Sequence, residues 1–240
     1  MSLAETYRQI GEVKRGGVVC VADHASNHVP DDINLGIDEA LLAEHIAVDI
    51  GVEAVAEHMA RDHGIPAHLA RVSRLVVDLH REEEHPNVMP VESDGHTVPG
   101  NVSADRNARL ARFYRPYHTA LCDWLDRIEP KLIISLHSFT PQLATSDEPR
   151  PWEVALLYNQ DDRAARHAIG LFGELGLTVG DNQPYSGRQL NATMNRHAEA
   201  QGRYYCAIEV RQDLITAPED QKRWAAMLAD VCSRVALALD

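Results

Sequence analysis

Lysine is nearly absent from this 240-residue chain: three lysines stand beside 20 arginines. GC-rich codon usage accounts for such a bias, but it has a chemical consequence. Any anion site must be built from guanidinium groups, which grip carboxylates in a planar, bidentate way. Positive charge is scarce altogether. The 23 basic residues face 36 acidic ones, for a net charge of −13. A surface this acidic excludes nucleic acid, whose phosphates need a basic patch. Cysteine is sparse too, with Cys20, Cys122, Cys206 and Cys232 far apart and no Cys-x-x-Cys. A disulfide frame or zinc ribbon is therefore not expected, and four buried, reduced thiols in a cytoplasmic protein are. No apolar run approaches the roughly 18 to 20 residues that a membrane span requires. The opening residues, Met1 to Arg8, show no apolar stretch of the kind a secretory signal carries.

Several motifs are missing as well. There is no Gly-x-x-x-x-Gly-Lys, Gly-x-Gly-x-x-Gly, Gly-x-Ser-x-Gly or His-Glu-x-x-His. Nucleotide binding, the usual serine-hydrolase elbow and the usual metalloprotease helix lose their support. What is plentiful is histidine. Its 13 copies are about twice an ordinary share and direct attention to metal binding or proton transfer.

The remaining composition, 45% hydrophobic and 25% charged, is that of a folded globular protein. Short apolar runs at 17–22, 66–72, 74–79, 131–137, 153–158 and 204–210 read as strands. Helical patterns cover 38–63, 105–128, 161–175 and 218–239, the first opened by Asp38 and closed at Gly64. Residues 82–100, polar and holding three prolines, read as a long loop of the kind that often carries function. Strands alternating with helices, with no composition break, predict one α/β domain over 1–240. A largely parallel sheet would carry helices on both faces.

Ligands of such sheets bind beyond the carboxyl ends of the strands. Four predicted strand ends deliver His24, His137, Glu209 with Arg211, and Arg81 to one rim. Two histidines and a carboxylate are the minimum set for a catalytic zinc with an open position. A lone strand-end histidine is ordinarily a capping or hydrogen-bonding group, but two at equivalent ends favour metal ligation. The third ligand stays open. Asn27, three residues after His24, is a poor ligand, and His28 is available one further on. Asp49 and His45 fall on the apolar arc of the predicted 38–63 helix. An inward carboxylate must bind a cation or pair with a buried arginine such as Arg74. Glu209 ends an apolar strand and is either a proton acceptor beside the metal or the ion-pair partner of Arg211. Arg74, Arg81, Arg106 and Arg211 are candidates for gripping an anionic substrate.

In order along residues 18–215, seven short pieces resemble the N-formylglutamate amidohydrolase family. They are Asp23-His24-Ala25-Ser26-Asn27-His28-Val29-Pro30, Asp49-Ile50-Gly51, Ser73-Arg74-Leu75-Val76-Val77-Asp78, Pro116-Tyr117-His118, His137-Ser138-Phe139-Thr140-Pro141, Asn182-Gln183-Pro184-Tyr185-Ser186 and Glu209-Val210-Arg211-Gln212-Asp213. The resemblance implies a three-layer α/β/α fold with a largely parallel, mixed sheet, similar to the zinc carboxypeptidases and aspartoacylase. It implies zinc-dependent hydrolysis of a small anionic N-acyl amino acid, N-formyl-L-glutamate first, to formate and L-glutamate, in amino-acid degradation. By the same resemblance His24 and His137 would hold the metal, Glu209 would be the general base, and Arg74, Arg81 and Arg211 would grip the substrate carboxylate. Asp49, from its inward position, is the candidate third ligand, and Ser138 is a further candidate for binding substrate. The chain departs from the family in reading Asp23-His24-Ala25-Ser26 for the usual Pro-His followed by Ser-Gly or Ala-Gly. It also reads Asp78-Leu79-His80-Arg81 for Asp-x-Asn-Arg, as a divergent branch would. Two other readings stand beside this one. One is a non-catalytic, metal-stabilised protein that binds small anions. The other is a metal-free hydrolase using Ser26 or Ser138 with a nearby histidine.

Overall fold

The computed structural model describes residues 6–239, so Met1–Glu5 of the opening stretch and Asp240 lie outside the described residues. Seven strands form one sheet: β1 (Tyr7–Ile10), β2 (Val18–Ala22), β3 (Ala67–Ala70), β6 (Leu132–Phe139), β7 (Val154–Leu157), β8 (Val179–Asp181) and β9 (Tyr205–Arg211). Their spatial order is β1-β3-β2-β6-β9-β7-β8. Only β1 with β3 and β7 with β9 pair antiparallel. A two-stranded hairpin, β4 (Glu92–Ser93) with β5 (His96–Thr97), stands apart. The helices are α1 (Val52–His63), α2 (Pro99–Val102), α3 (Arg106–Arg109), α4 (Arg115–Ile128), α5 (Arg163–Glu174), α6 (Ala192–His197) and α7 (Pro218–Ala238). No helix among the described residues is long and apolar enough to cross a membrane.

Alternation along the central strands divides the core in two. Cys20, Ile134, Leu136, Cys206 and Ile208 face one way and pack against α1, α5 and α7. Val19, Val21, Ile133, Tyr205 and Ala207 face the other way, toward α4 and the 72–98 segment. Both faces are covered, which is why β2, β6 and β9 read as unbroken apolar runs. The family relationship reported below and this mixed sheet agree with the predicted α/β class.

Three predicted elements form differently. Residues 38–63 are not one helix. Asp38 caps a short 3-10 turn over Glu39–Ala43, and α1 begins only after Gly51. Gly51 has φ +82°, and a Cβ there would lie 2.2 Å from the Ile215 carbonyl oxygen, so helix cannot run through it. His45 and Asp49 therefore sit in a turn and not on a helical face. Residues 75–79 are buried and Arg74 is half-buried, but they make no strand. Three of their carbonyl groups are satisfied by side chains instead of a ladder. Asn101 Nδ2 donates to the Leu75 oxygen at 2.8 Å and Arg109 Nη1 to that of Val76 at 2.8 Å. His118 Nε2 donates to the Leu79 oxygen at 3.0 Å. The apolar run was real, but burial and strand pairing are separate events. β1, β8 and α6 were not foreseen, being too short for a periodic signal. The helix expected over 105–128 forms as α3 and α4 joined through a π turn at Leu110–Tyr114, which accommodates Pro116.

Candidate active site

The parallel strands β2, β6 and β9 lie side by side, and their carboxyl ends share one edge of the sheet. Asp23 and His24 directly follow β2. His137 lies within β6, in register with Glu209 on β9. The turn before α1 brings in Asp49, whose backbone N–H donates to the His24 carbonyl at 3.0 Å. The 74–81 segment adds Arg74, Asp78, His80 and Arg81. It is pinned by Ser73, whose hydroxyl donates to the Ala47 oxygen at 2.8 Å and accepts from Leu75 N–H at 3.2 Å.

All of these except Asp23 and Ser73 line a cavity of about 250 Å³. At its floor, His24 Nε2–H donates to Asp78 Oδ1 at 2.8 Å, which turns Nδ1 toward Asp49. His24 Nδ1 is 3.4 Å from Asp49 Oδ2, is buried, and has no hydrogen-bond partner. His137 Nδ1–H donates to the same Asp49 oxygen at 2.9 Å, while its Nε2 accepts from Ser135 Oγ at 3.2 Å. Asp49 Oδ1 accepts from Arg74 Nη1 at 3.1 Å, and Arg74 Nη2 reaches Asp78 Oδ2 at 3.2 Å. Of the alternatives left open for Asp49, the ion pair with Arg74 forms through one oxygen, while the other oxygen faces two imidazoles.

The electrostatics follow from this crowding. Burial opposes ionisation of Asp49 and Asp78, but His24, Arg74 and, for Asp78, Arg81 overcome it and hold both below the usual carboxylate range. Burial and Arg74 work against a charge on His24, yet Asp78 and Asp49 raise it to about 9. Glu209 behaves in the opposite way. Burial and the Asp49 charge push its carboxyl up to about 8, against Arg74 and His24. Its Oε2 is buried with no partner. Asp49 and Asp78 share Arg74, and Arg81 brings a second guanidinium to Asp78.

The donor set fits a divalent cation. His24, Asp49 and His137 offer ligand atoms within 4.8 Å of one another, and a second group, Asp23, His80 and His137, does the same. In the first group Asp78 holds the outer nitrogen of His24, the arrangement that orients a ligating histidine, and Ser135 Oγ lies 3.2 Å from that of His137. The unpartnered His24 Nδ1 is the atom an ion would satisfy.

The remaining sequence-derived candidates separate clearly. Arg81 lines the cavity and meets Asp78 Oδ2 through Nε at 3.4 Å. Ser138 also lines it, but its hydroxyl donates to the Ile50 oxygen at 2.9 Å and not to a histidine. Ser26 accepts from His28 N–H at 3.1 Å and lies outside the cavity, as do Asn27 and His28. No serine is therefore set up as a nucleophile by a histidine at either predicted position. Arg211 corrects the expectation made for it: Nε pairs with Asp213 at 2.8 Å and Nη1 with the Pro151 oxygen at 3.3 Å, away from the cavity. It does not pair with Glu209 either, because a guanidinium at the strand's end can reach its own loop. Arg106 is tied to the Glu83 and His85 carbonyls.

Sequence reasoning missed the roles of Asp78, His80 and Asp23. A carboxylate four residues after Arg74 inside a run of valines and leucines was the available signal for Asp78. The outer wall was missed too. Asp94 accepts from His45 Nε2 at 3.0 Å, Ala144 N–H at 2.9 Å and Thr145 Oγ1 at 2.7 Å, joining three segments over the cavity mouth.

The gene product Atu2144 of Agrobacterium tumefaciens has a structure similar to this one at a TM-score of 0.91 and 30% identity, over 99% of this chain and 98% of that one. The N-formylglutamate amidohydrolase of Ralstonia eutropha JMP134 is similar at a TM-score of 0.68 and 19% identity over 98% of each chain, a likeness of fold. No curated protein matches significantly. The model of the N-formylglutamate amidohydrolase family matches residues 16–216, most of the chain and every cavity residue discussed above, and the protein belongs to that family.

Proposed function

We propose that this chain is a metal-dependent amidohydrolase that cleaves the amide bond of a small anionic N-acyl amino acid, with N-formyl-L-glutamate as leading substrate and formate and L-glutamate as products. The observation that carries the reading is one site: an unpartnered His24 Nδ1 beside Asp49 and His137, next to an unpartnered buried Glu209. His24, Asp49 and His137 would hold the ion, and zinc suits two imidazoles and a carboxylate. The chemistry such an ion supplies is Lewis acidity toward an acyl carbonyl and toward water.

The chain's own groups do the rest. Glu209 takes a proton from the water that attacks the acyl carbon and hands it to the departing nitrogen. Its Oε2, buried and without a partner, is the atom that accepts and returns that proton. Arg81, on the cavity wall, grips the substrate carboxylate. Arg74 bridges Asp49 and Asp78 and so fixes the two carboxylates that aim His24 and His137. Ser138 sits on the cavity wall, its backbone N–H 3.3 Å from Asp49 Oδ2, where it can meet the substrate. Four unpaired cysteines support a cytoplasmic setting. The family match and the packing of α7 onto α1 and α5 support a single catalytic domain.

The test is metal analysis of the purified protein followed by assay of N-formyl and N-acetyl amino acids, before and after chelation. Activity on N-formyl-L-glutamate that chelation abolishes and zinc restores is expected. Bound zinc with no turnover of any member would favour a metal-stabilised binding protein and refute the enzyme reading.

A further inference from the structure

One buried pair beside the proposed metal ligands has no part in the chemistry above. Asp23 is fully buried and accepts from the Tyr117 hydroxyl at 2.6 Å and from His80 Nδ1–H at 2.9 Å. Thr193 Oγ1 lies 3.1 Å from the same Nδ1 and gives its own proton to the Leu79 carbonyl at 3.3 Å. Both neighbours of Nδ1 therefore act as acceptors, so the ring proton is on Nδ1. In the neutral imidazole, Nε2 is then a lone pair. His80 lines the cavity, its ring centre 4.6 Å from that of His137 and 5.9 Å from that of His24. Among the described residues Nε2 meets no hydrogen-bond partner, although Nδ1 is held on two sides. The ring is thus fixed by a buried carboxylate and presents an acceptor to whatever occupies the cavity.

An N-acyl amino acid with ionised carboxylates offers acceptors almost everywhere. Its amide N–H is the one donor common to the whole class. We propose that His80 Nε2 accepts a hydrogen bond from the scissile amide N–H, so that the Asp23–His80 pair orients the leaving nitrogen and selects amides over esters. This rests on the amidohydrolase reading and adds a substrate-contacting residue to it. The sheet gives the contact a direction. Asp23 follows β2 and Glu209 lies on β9, on opposite flanks of β6 and its His137. With the N–H held on the β2 flank, the nitrogen lone pair that develops as the acyl carbon becomes tetrahedral is left for the Glu209 flank. That is where the proposed proton donor to the departing amine resides.

The experiment compares N-formyl-L-glutamate with its ester isostere, in which oxygen replaces the N–H, after subtraction of spontaneous hydrolysis. It uses the zinc-loaded wild type, His80→Ala and His80→Asn. Intrinsic reactivity cancels in the change of the amide-to-ester ratio of kcat/KM between enzymes. The ratio should fall about tenfold in His80→Ala, the loss of one hydrogen bond. His80→Asn, whose side-chain carbonyl can accept, should retain part of the preference, and it carries the comparison if the alanine variant does not fold. A ratio unchanged in folded, zinc-loaded variants would overturn the proposal. So would loss of a second equivalent of metal from His80→Ala, which would make Asp23, His80 and His137 a metal site. Wild type inactive on both compounds would overturn the amidohydrolase reading and this contact with it.

Discussion

Glu209→Gln should abolish turnover while making the metal-free protein more stable at alkaline pH. The two effects have one cause. In the fold, burial and the Asp49 charge lift the carboxyl from its ordinary 4.5 to about 8. Between those values the folded chain holds a proton that the unfolded chain releases. Stability therefore falls as pH rises from about 4.5 to 8, by up to about 5 kcal/mol once both values are passed. Water drawn toward the ionised side chain reduces that ceiling, so a difference of a few kcal/mol is the expectation. Glutamine keeps the shape and removes the titration, so the variant should lack this slope. Denaturant unfolding of both metal-free proteins at pH 6 and pH 8.5 reads it directly. On the zinc-loaded proteins, kcat should fall by about 10² to 10⁴ with KM far less affected and zinc content unchanged. Near-normal kcat in a folded, zinc-loaded variant would refute the proton-transfer role. Zinc depletion would make Glu209 a ligand instead. Parallel pH slopes for the two metal-free proteins would refute the account of its buried charge.

The other expectations address the metal, the anion grip and the buried imidazoles. His24→Ala or His137→Ala should sharply lower the zinc that co-purifies, as read by elemental analysis, and unchanged stoichiometry in both would remove the ligand assignment. Arg81→Ala should raise KM for an acidic N-acyl amino acid about tenfold or more and much less for a neutral amide analogue, whereas Arg211→Ala, bound to Asp213 outside the cavity, should leave both near normal. Equal effects of Arg81→Ala on the two compounds would make that arginine structural. Burial pushes His68 and His118 down to about 3 and His197 down to about 4. The unfolded chain takes up protons on them first, so stability drops as pH falls below about 6.5, by up to about 2 kcal/mol per histidine at pH 5. His68→Asn should lose correspondingly less stability between pH 7 and pH 5 than the wild type in denaturant titrations, and identical losses would show that His68 charges freely in the fold.

The parts legible in the sequence were those whose signal is local. β2, β6 and β9 are buried on both faces, so each announces itself as an apolar run, and the residues at or near the ends of those runs include His24, His137 and Glu209. The scarcity of lysine pointed to arginine for any anion grip. Asp49 was identified for the wrong local reason: a helical face was expected, and the positive φ of Gly51 ends that helix before it starts. What brought Asp49 to the histidines is the return of the chain onto His24, a contact 25 residues away in sequence. The 74–81 segment shows the same limit, since Asn101, Arg109 and His118 take its carbonyls from positions no periodicity connects to it. The Asp23–His80–Tyr117 group and the turning of Arg211 toward Asp213 depend on long-range packing and on rotamer choice. Sequence by itself determined which strands are central and which side chains stand at their ends. Only the tertiary structure decided which polar groups meet, because a buried charge finds its partner by proximity in space, and neither composition nor spacing encodes that distance.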